Sequence, residues 1–289
     1  VVEKEASLII ADEDMKNKIN PDDLNTTGIL FVENTYDYLS TIMNRFLDYP
    51  SQKLNVFGIT GTNGKTSTAN ILTQLLNHSG KNTGLIGTNG IFVVDKKLDT
   101  QNTTPDPLVL QTVFSKMLGH EVENVIMEVS SIGVVENRVK ETDFSVAVFT
   151  NFSQDHLDFH GTMENYLKAK LQFFKELNPR NSRGKENFAI INLDDEQAKH
   201  FIANCKATIR TYGFNNNADY YVTDINFSHT GTTFTLHHEN KDYFANTPLV
   251  GEFNVYNALA AIAAAHTQEI DLKELVSLPR SIRNCFKSE

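Results

Sequence analysis

Short apolar runs recur along the chain at intervals that leave room for a helix between them. Residues 54–60, 83–87, 123–129, 145–150, 187–192 and 207–212 are largely apolar and of strand length. Such runs read as strands covered on both faces. Between several of them, residues 65–79, 107–118, 162–177 and 195–204 place apolar side chains at three- and four-residue spacing, the period of an amphipathic helix. This alternation predicts a mostly parallel sheet with helices on both faces. Residues 219–228, 231–238 and 242–246 alternate with period two, which predicts a small antiparallel β extension with a turn at Thr230-Gly231. An alanine-rich helix is expected over 253–266 and a short one over 271–276. Upstream, 7–11 and 28–32 read as short strands. Tyr36, Leu39, Ile42, Met43, Phe46 and Leu47 fall at helical spacing, so a helix is expected over 35–47. These elements form a small, partial α/β N-terminal piece ending near Pro50-Ser51.

The stretch Asn55 to Thr66 stands out because the pattern breaks there into Gly61-Thr62-Asn63-Gly64-Lys65-Thr66 between a strand and a helix. Strand, small-residue loop, helix is the order of a phosphate-cradling loop. Glycines let the backbone approach an anion, and the helix N-terminus adds a favourable dipole. Lys65 is placed to reach terminal phosphates and the Thr66 hydroxyl to bind Mg²⁺. The strict P-loop pattern requires a glycine where Ile59 stands. The fold class expected is therefore α/β with a P-loop-type sheet, the loop itself being an imperfect match.

Composition narrows the options. The chain has 289 residues, is 40% hydrophobic and 21% charged, and carries a net charge of −10. An acidic chain is poorly suited to binding nucleic acid through phosphate contacts, whereas loop amides, one lysine and a metal can still hold ATP locally. Cys205 and Cys285 form no CxxC pair and are expected to be reduced thiols in a cytoplasmic protein. No apolar run approaches the ~20 residues of a membrane span. The chain starts Val-Val-Glu-Lys, without an initiator methionine, so a processed start or a fragment is expected.

Ligands in open α/β sheets sit at the carboxyl ends of strands, and the residues there are unusually polar. Glu128-Val129-Ser130-Ser131 follows one strand. Glu128 could bind the nucleotide's Mg²⁺ beside Thr66, or be a solvated strand-end acid. Thr150 to His160 gathers Asn151, Asp155, His156, Asp158 and His160, able to bind metal, orient water or stabilise charge. A structural zinc is not expected, since no thiolates accompany the histidines. Lys170 lies on an apolar helical stripe with Tyr166 and Phe174, either snorkelling outward or held inside for a purpose. Thr103-Thr104-Pro105 precedes a helix, so its hydroxyls are candidate anion or sugar contacts, and equally N-caps. Asn254 and Asn257, on the first turn of the alanine-rich helix, could read a base edge or merely cap.

Taken together, Gly61 to Thr66, Thr103-Thr104-Pro105, Glu128 to Ser131, Thr150 to Asp158, and Gly251-Glu252-Phe253-Asn254-Val255-Tyr256-Asn257-Ala258 resemble, in order, the motifs of Mur ligases, the ATP-dependent amide-forming enzymes of peptidoglycan assembly. The run from Asp155 to Tyr166 looks most like the MurE type, which adds the third amino acid, L-lysine or meso-diaminopimelate, to UDP-MurNAc-L-Ala-D-Glu. The resemblance covers residues 30 to 266. It implies that Gly61, Thr62, Asn63, Gly64, Lys65 and Thr66 hold ATP phosphates, with Asn151 near them and Asn254 at adenine. It implies that Thr66 and Glu128 hold one Mg²⁺. His156 and an N-carbamylated Lys170 would help hold a second. It also implies that Thr103, Thr104, Ser130, Ser131 and Arg138 contact the UDP-MurNAc-dipeptide. Lys65, Glu128, His156 and Lys170 would then be the catalytic set. The implied partners are that dipeptide and an amino acid; no nucleic-acid or membrane partner is expected, and the chain is expected to be a monomer.

Two residues depart from the pattern: Ile132 stands where histidine is usual and Glu136 where glutamine is common. The expected organisation is residues 1–50 as the C-terminal part of a UDP-binding N-terminal domain, 51–278 as the central ATP-binding domain, and 279–289 as a linker to an absent C-terminal domain. A truncated ligase is the leading expectation. A folylpolyglutamate synthetase-like or poly-γ-glutamate ligase, and a non-catalytic nucleotide-binding remnant, are the alternatives.

Overall fold

A computed structural model describes residues 6–277 except Asn25 and Asp95. The expected linker at 279–289 and Cys285 lie outside the described residues. Strands β1 (Leu8–Asp12) and β2 (Gly28–Val32) pair in parallel as a two-stranded sheet, followed by α1 (Thr35–Phe46). This is the small α/β piece anticipated at the N-terminus. It is joined to the rest by polar contacts: Ser40 donates to the Lys140 carbonyl at 2.7 Å, and Lys140 pairs with Asp37 at 2.9 Å.

All other described strands belong to one sheet of eleven. They are β3 (Asn55–Thr60), β4 (Thr83–Gly87), β5 (Gly90–Val93), β6 (Lys96–Leu98), β7 (Asn124–Glu128), β8 (Phe144–Phe149), β9 (Phe188–Asn192), β10 (Thr208–Gly213), β11 (Tyr220–Ser228), β12 (Gly231–His238) and β13 (Lys241–Thr247). The spatial order is β13-β12-β11-β10-β9-β8-β3-β7-β4-β5-β6. From β4 to β11 the strands run parallel. Antiparallel pairs finish both edges, β12–β13 on one side and β5–β6 on the other. The helices are α2 (Lys65–His78), α3 (Pro107–Gly119), α4 (Ser131–Val135), α5 (Leu157–His160), α6 (Met163–Lys175), α7 (Ala198–Asn204), α8 (Glu252–His266) and α9 (Leu272–Leu275).

The continuous apolar runs explain the layering. A strand buried on both faces sends alternate side chains to opposite sides. Phe57 and Ile59 of β3 join the core shared with Leu72, Leu76 and the alanines of α8. Val56 joins the core shared with Phe114 of α3, Phe173 and Phe174 of α6, and Phe201 of α7. The alanine-rich α8 is buried on nearly every side, because small side chains let it lie close against α2.

Four elements were not anticipated. β5 and β6 are short; β6 is Lys-Lys-Leu, exposed throughout, so no apolar alternation marks it. α4 and α5 span only 5 and 4 residues, too few for a helical period to register. The helix expected over 195–204 starts at Ala198, because Asp195 instead turns back to accept from Gln197 N at 2.8 Å.

β3 lies at the centre, flanked by β7 and β8, so its carboxyl end opens into a crevice between connections running to opposite faces. Gly58 makes this packing possible: a Cβ there would sit 2.5 Å from Phe173 Cζ and 2.8 Å from Phe144 Cε1. Gly58→Ala is expected to lower the urea-unfolding free energy by about 1–3 kcal/mol. Unchanged stability would mean that the two rings yield freely.

Candidate active site

The loop after β3 adopts the shape its glycines permit. Gly64 has φ +84 and caps α2. A Cβ on Gly64 would lie 2.4 Å from Asn257 Oδ1, and one on Gly61 would lie 1.9 Å from Thr150 Oγ1. The loop is therefore pressed between α8 and the segment after β8. That segment clamps it: Asn151 Oδ1 accepts from Asn63 N at 2.9 Å, Asn151 Nδ2 donates to Asn63 O at 3.0 Å, and Thr62 N donates to Asn151 O at 2.9 Å. Asn192 and Asp195 hold the clamp from behind, taking the Thr150 carbonyl at 2.8 Å and the Phe152 amide at 2.7 Å.

Glu128 ends β7 beside this loop and is only 1% exposed. Its carboxylate accepts from Thr66 Oγ1 at 2.8 Å, Thr88 N at 2.9 Å and Thr88 Oγ1 at 3.2 Å. Among the described residues no lysine or arginine is paired with it. A buried carboxylate next to a hydroxyl, with no salt-bridge partner, suits a hard divalent cation completed by phosphate and water oxygens. Among the described residues, no group of three or more His, Cys, Asp or Glu forms a ready-made metal cage. Magnesium fits this site better than zinc.

Lys65 and Lys170 both turn to Gly61. Lys65 Nζ donates to the Gly61 and Thr62 carbonyls at 2.9 and 2.8 Å, and Lys170 Nζ donates to the same Gly61 oxygen at 2.9 Å. Lys170 is 1% exposed, which settles the sequence alternatives: it is held inside rather than snorkelling. Burial first, then the Lys65 charge, hold its amine well below the usual lysine range; Asp155 opposes them. Burial also lowers Lys65, against Glu128 and Asp155. The Tyr166 ring faces Lys170 Nζ at 4.5 Å, and the Tyr166 hydroxyl meets Thr62 Oγ1 at 3.3 Å.

The two histidines of the dense cluster part company. His156 caps α5 with φ 49, pairs with Asp155 at 3.4 Å and lines the cleft half-exposed. His160 is buried, its Nε2 2.9 Å from Ser131 Oγ. Burial lowers the pKa of His160, with His156 and Lys170 adding to the effect. It joins α5 to α4 and is not a second metal ligand beside His156.

Thr62 to Thr66, Thr103, Glu128, Ser130, Ser131, His156 and Lys170 line one cleft of about 300 Å³ at the carboxyl end of the parallel strands. Five expected site residues do not line it: Gly61, whose carbonyl receives Lys65 and Lys170, and four others. Thr104 is fully buried, its hydroxyl committed to the Glu128 carbonyl at 2.9 Å and Ser130 Oγ at 3.1 Å. Arg138 donates to the Thr104 carbonyl at 2.9 Å and pairs with Glu136, which gives the unusual Glu136 a partner. These two hold the rim from behind. Asn151 holds the loop, and Asn254 donates to the Val250 carbonyl at 2.9 Å. Of the two helix-start amides, Asn257 serves the loop, accepting from Thr68 Oγ1 at 3.3 Å. Thr88, Tyr166 and Asp195 were missed in the sequence: a lone threonine, a tyrosine within an apolar stripe and one aspartate among several carry no pattern. A larger cavity of about 570 Å³ lies at the opposite end of the strands, lined by Asn55, Phe188, Arg210, Tyr220, His238 and His266. It contains neither the loop residues 61–66 nor Glu128, so chemistry rather than size locates the site. No described helix is long and apolar enough to cross a membrane.

A family model described as "Mur ligase middle domain" matches residues 59–265. The UDP-N-acetylmuramoyl-L-alanyl-D-glutamate–2,6-diaminopimelate ligase of Bacillus cereus is 39% identical over 254 residues, covering 88% of this chain and 52% of that protein. The protein of the same name from Chlamydia felis is 39% identical over 241 residues, covering 83% and 48%. The chain thus spans about half the length of the curated relatives it matches. A solved structure of a ligase of this name superposes with TM-score 0.78 at 28% identity, covering 93% of this chain and 58% of the other. A Mycobacterium tuberculosis folylpolyglutamate synthase gives TM-score 0.66 at 17% identity, covering 83% and 61%, a likeness of fold alone.

Lys170 has a measurable pH signature. Its native pKa is lowered by burial, while in the unfolded chain it sits near the ordinary lysine value of 10.5. Between the two, the unfolded chain binds a proton that the native one does not, so stability rises with pH across that window. Lys170→Met should flatten the dependence of urea-unfolding free energy on pH in CO₂-free buffer. An unaltered slope would show that this amine does not titrate differently on folding.

Proposed function

The chain belongs to the Mur ligase family through its middle domain, and from that premise we propose that it performs the ATP-dependent activation in the ligation of a third amino acid to UDP-MurNAc-L-Ala-D-Glu. The observation that carries this reading is the convergence of Lys65, Thr66, Glu128, His156 and Lys170 on one cleft in a chain 39% identical to a diaminopimelate-adding ligase. Diaminopimelate is accordingly the amino acid proposed. Residues 6–50 are proposed as part of a UDP-binding domain and the eleven-stranded body as the ATP-binding domain, in a cytoplasmic monomer.

In this reading the loop amides and the α2 N-terminus receive the phosphates. Lys65 leaves the Gly61 and Thr62 carbonyls for the terminal phosphate. Thr66 and Glu128 would hold Mg²⁺, which would supply neutralisation of the phosphate charge. Lys170, buried and with its amine pKa lowered, is suited to add CO₂, giving a carbamate and releasing one proton. The anion so formed, beside His156, would be a second oxygen ligand. Thr103, Ser130 and Ser131 face the UDP-sugar dipeptide. A D-glutamyl carboxylate oxygen attacks the γ-phosphorus as ADP leaves, and the amine of the incoming amino acid then displaces phosphate from the acyl phosphate. The protein's contribution is positioning and charge neutralisation.

Hydroxylamine tests the activation step without an amino-acid site. With ATP, Mg²⁺ and UDP-MurNAc-L-Ala-D-Glu, the chain should form a hydroxamate with matching ADP. Lys65→Ala and Glu128→Gln should each cut this by more than about 100-fold, as loss of a main electrostatic group does. Hydroxamate formation from a folate substrate instead would favour the folylpolyglutamate reading. ¹³C-bicarbonate should yield a carbamate carbon resonance that Lys170→Met abolishes.

A further inference from the structure

The turn after β4 contains a group that none of the motifs includes. Thr88 is exposed to the cleft yet bonds Glu128 twice, its amide at 2.9 Å to Oε1 and its hydroxyl at 3.2 Å to Oε2. The same hydroxyl lies 3.1 Å from Thr103 Oγ1. We propose that Thr88 is a positioning residue whose hydroxyl ties the Glu128 carboxylate to Thr103, so that the cation-holding carboxylate and the substrate-facing rim are set as one unit. This rests on the reading that Glu128 holds a divalent cation.

Proton counting gives the chain a direction. An ionised carboxylate only accepts, so Thr88 spends its single hydroxyl proton on Glu128. Thr103 must then donate to Thr88, and it presents only lone pairs to the cleft. The Thr103 oxygen is thereby fixed as an acceptor for an N–H or O–H of the substrate. At the other end, three donors from Thr66 and Thr88 occupy three of the roughly four lone-pair sites of the carboxylate. One lone pair remains for a cation, and the Thr66 hydroxyl can rotate to offer its own.

The surroundings are shaped to this arrangement. Gly87 precedes Thr88, and a Cβ there would lie 2.2 Å from Glu128 Oε1. Thr104, next to Thr103, donates to the main-chain carbonyl of Glu128 at 2.9 Å. Consecutive threonines therefore hold both ends of Glu128, Thr104 directly and Thr103 through Thr88. Losing the Thr88 hydroxyl would remove one of the two donors on Glu128 Oε2 and cut the link to Thr103, leaving the Thr88 amide and Thr66 hydroxyl contacts in place.

The test is Mn²⁺ affinity in the presence of ADP, read by electron paramagnetic resonance on the full chain. Groups that orient a metal ligand typically contribute about 10- to 100-fold in affinity. Thr88→Val, isosteric and at an exposed position, should weaken Mn²⁺ binding by about tenfold with unchanged circular dichroism, and Thr88→Ser should stay within about twofold of wild type. A Thr88→Val protein that binds like wild type, or a Thr88→Ser protein as weak as Thr88→Val, would overturn the proposal. If wild type retains no Mn²⁺ with ADP, the reading of Glu128 fails first and this inference with it.

Discussion

One carbonyl oxygen organises this site. Gly61 O receives both Lys65 and Lys170 at 2.9 Å, in a place where Lys170 is almost fully buried. Two ammonium groups sharing one acceptor away from water repel strongly. Burial first, and then the Lys65 charge, lower the Lys170 amine well below the usual lysine range, while burial lowers Lys65 against the opposing pull of Glu128 and Asp155. Much of the local architecture follows from holding that oxygen in place. Gly61 has no room for a side chain against Thr150, Asn151 pins the loop on its far side, and the Tyr166 ring closes over Lys170.

The sheet makes this arrangement rigid. β3 is central and buried, and β7 and β8 bring Glu128 and Thr150 to its two sides in register. Helices α2 and α8 then pack so closely that Asn257 touches the space a Gly64 side chain would fill. A loop held from the sheet, from α8 and from the segment after β8 loses little freedom when an anion arrives, which is what preorganised electrostatics requires.

A second layer supports the rim formed by Ser130 and Ser131. Thr104, Arg138 and Glu136 lie behind Ser130 rather than in the cleft. His160 braces Ser131. Residues that look interchangeable within a motif thus divide into those that touch the cleft and those that hold the ones that do. In the proposed ligase the two layers would be equally necessary, the first for contact and the second for geometry.

Periodicity anticipated the layered α/β sheet and the small-residue loop after β3, and the family resemblance implied the grouping of Lys65, Thr66, Glu128, His156 and Lys170, which line one cleft in the structure. Those features are local or repeat along the chain, and each leaves a trace in the order of residue types. The edge strands β5 and β6 and the short helices α4 and α5 left none, since three to five residues carry no period. Tertiary structure alone decided that Lys170 points inward to Gly61, that His160 braces Ser131, that Arg138 reaches the Thr104 carbonyl, and that Thr88 grips Glu128. Each depends on which side chains meet across elements distant in sequence. A hydroxyl or a lysine reads the same in sequence whether it faces water, a carbonyl or a carboxylate; only the packing of β3, β7 and α6 determines which partner is within reach.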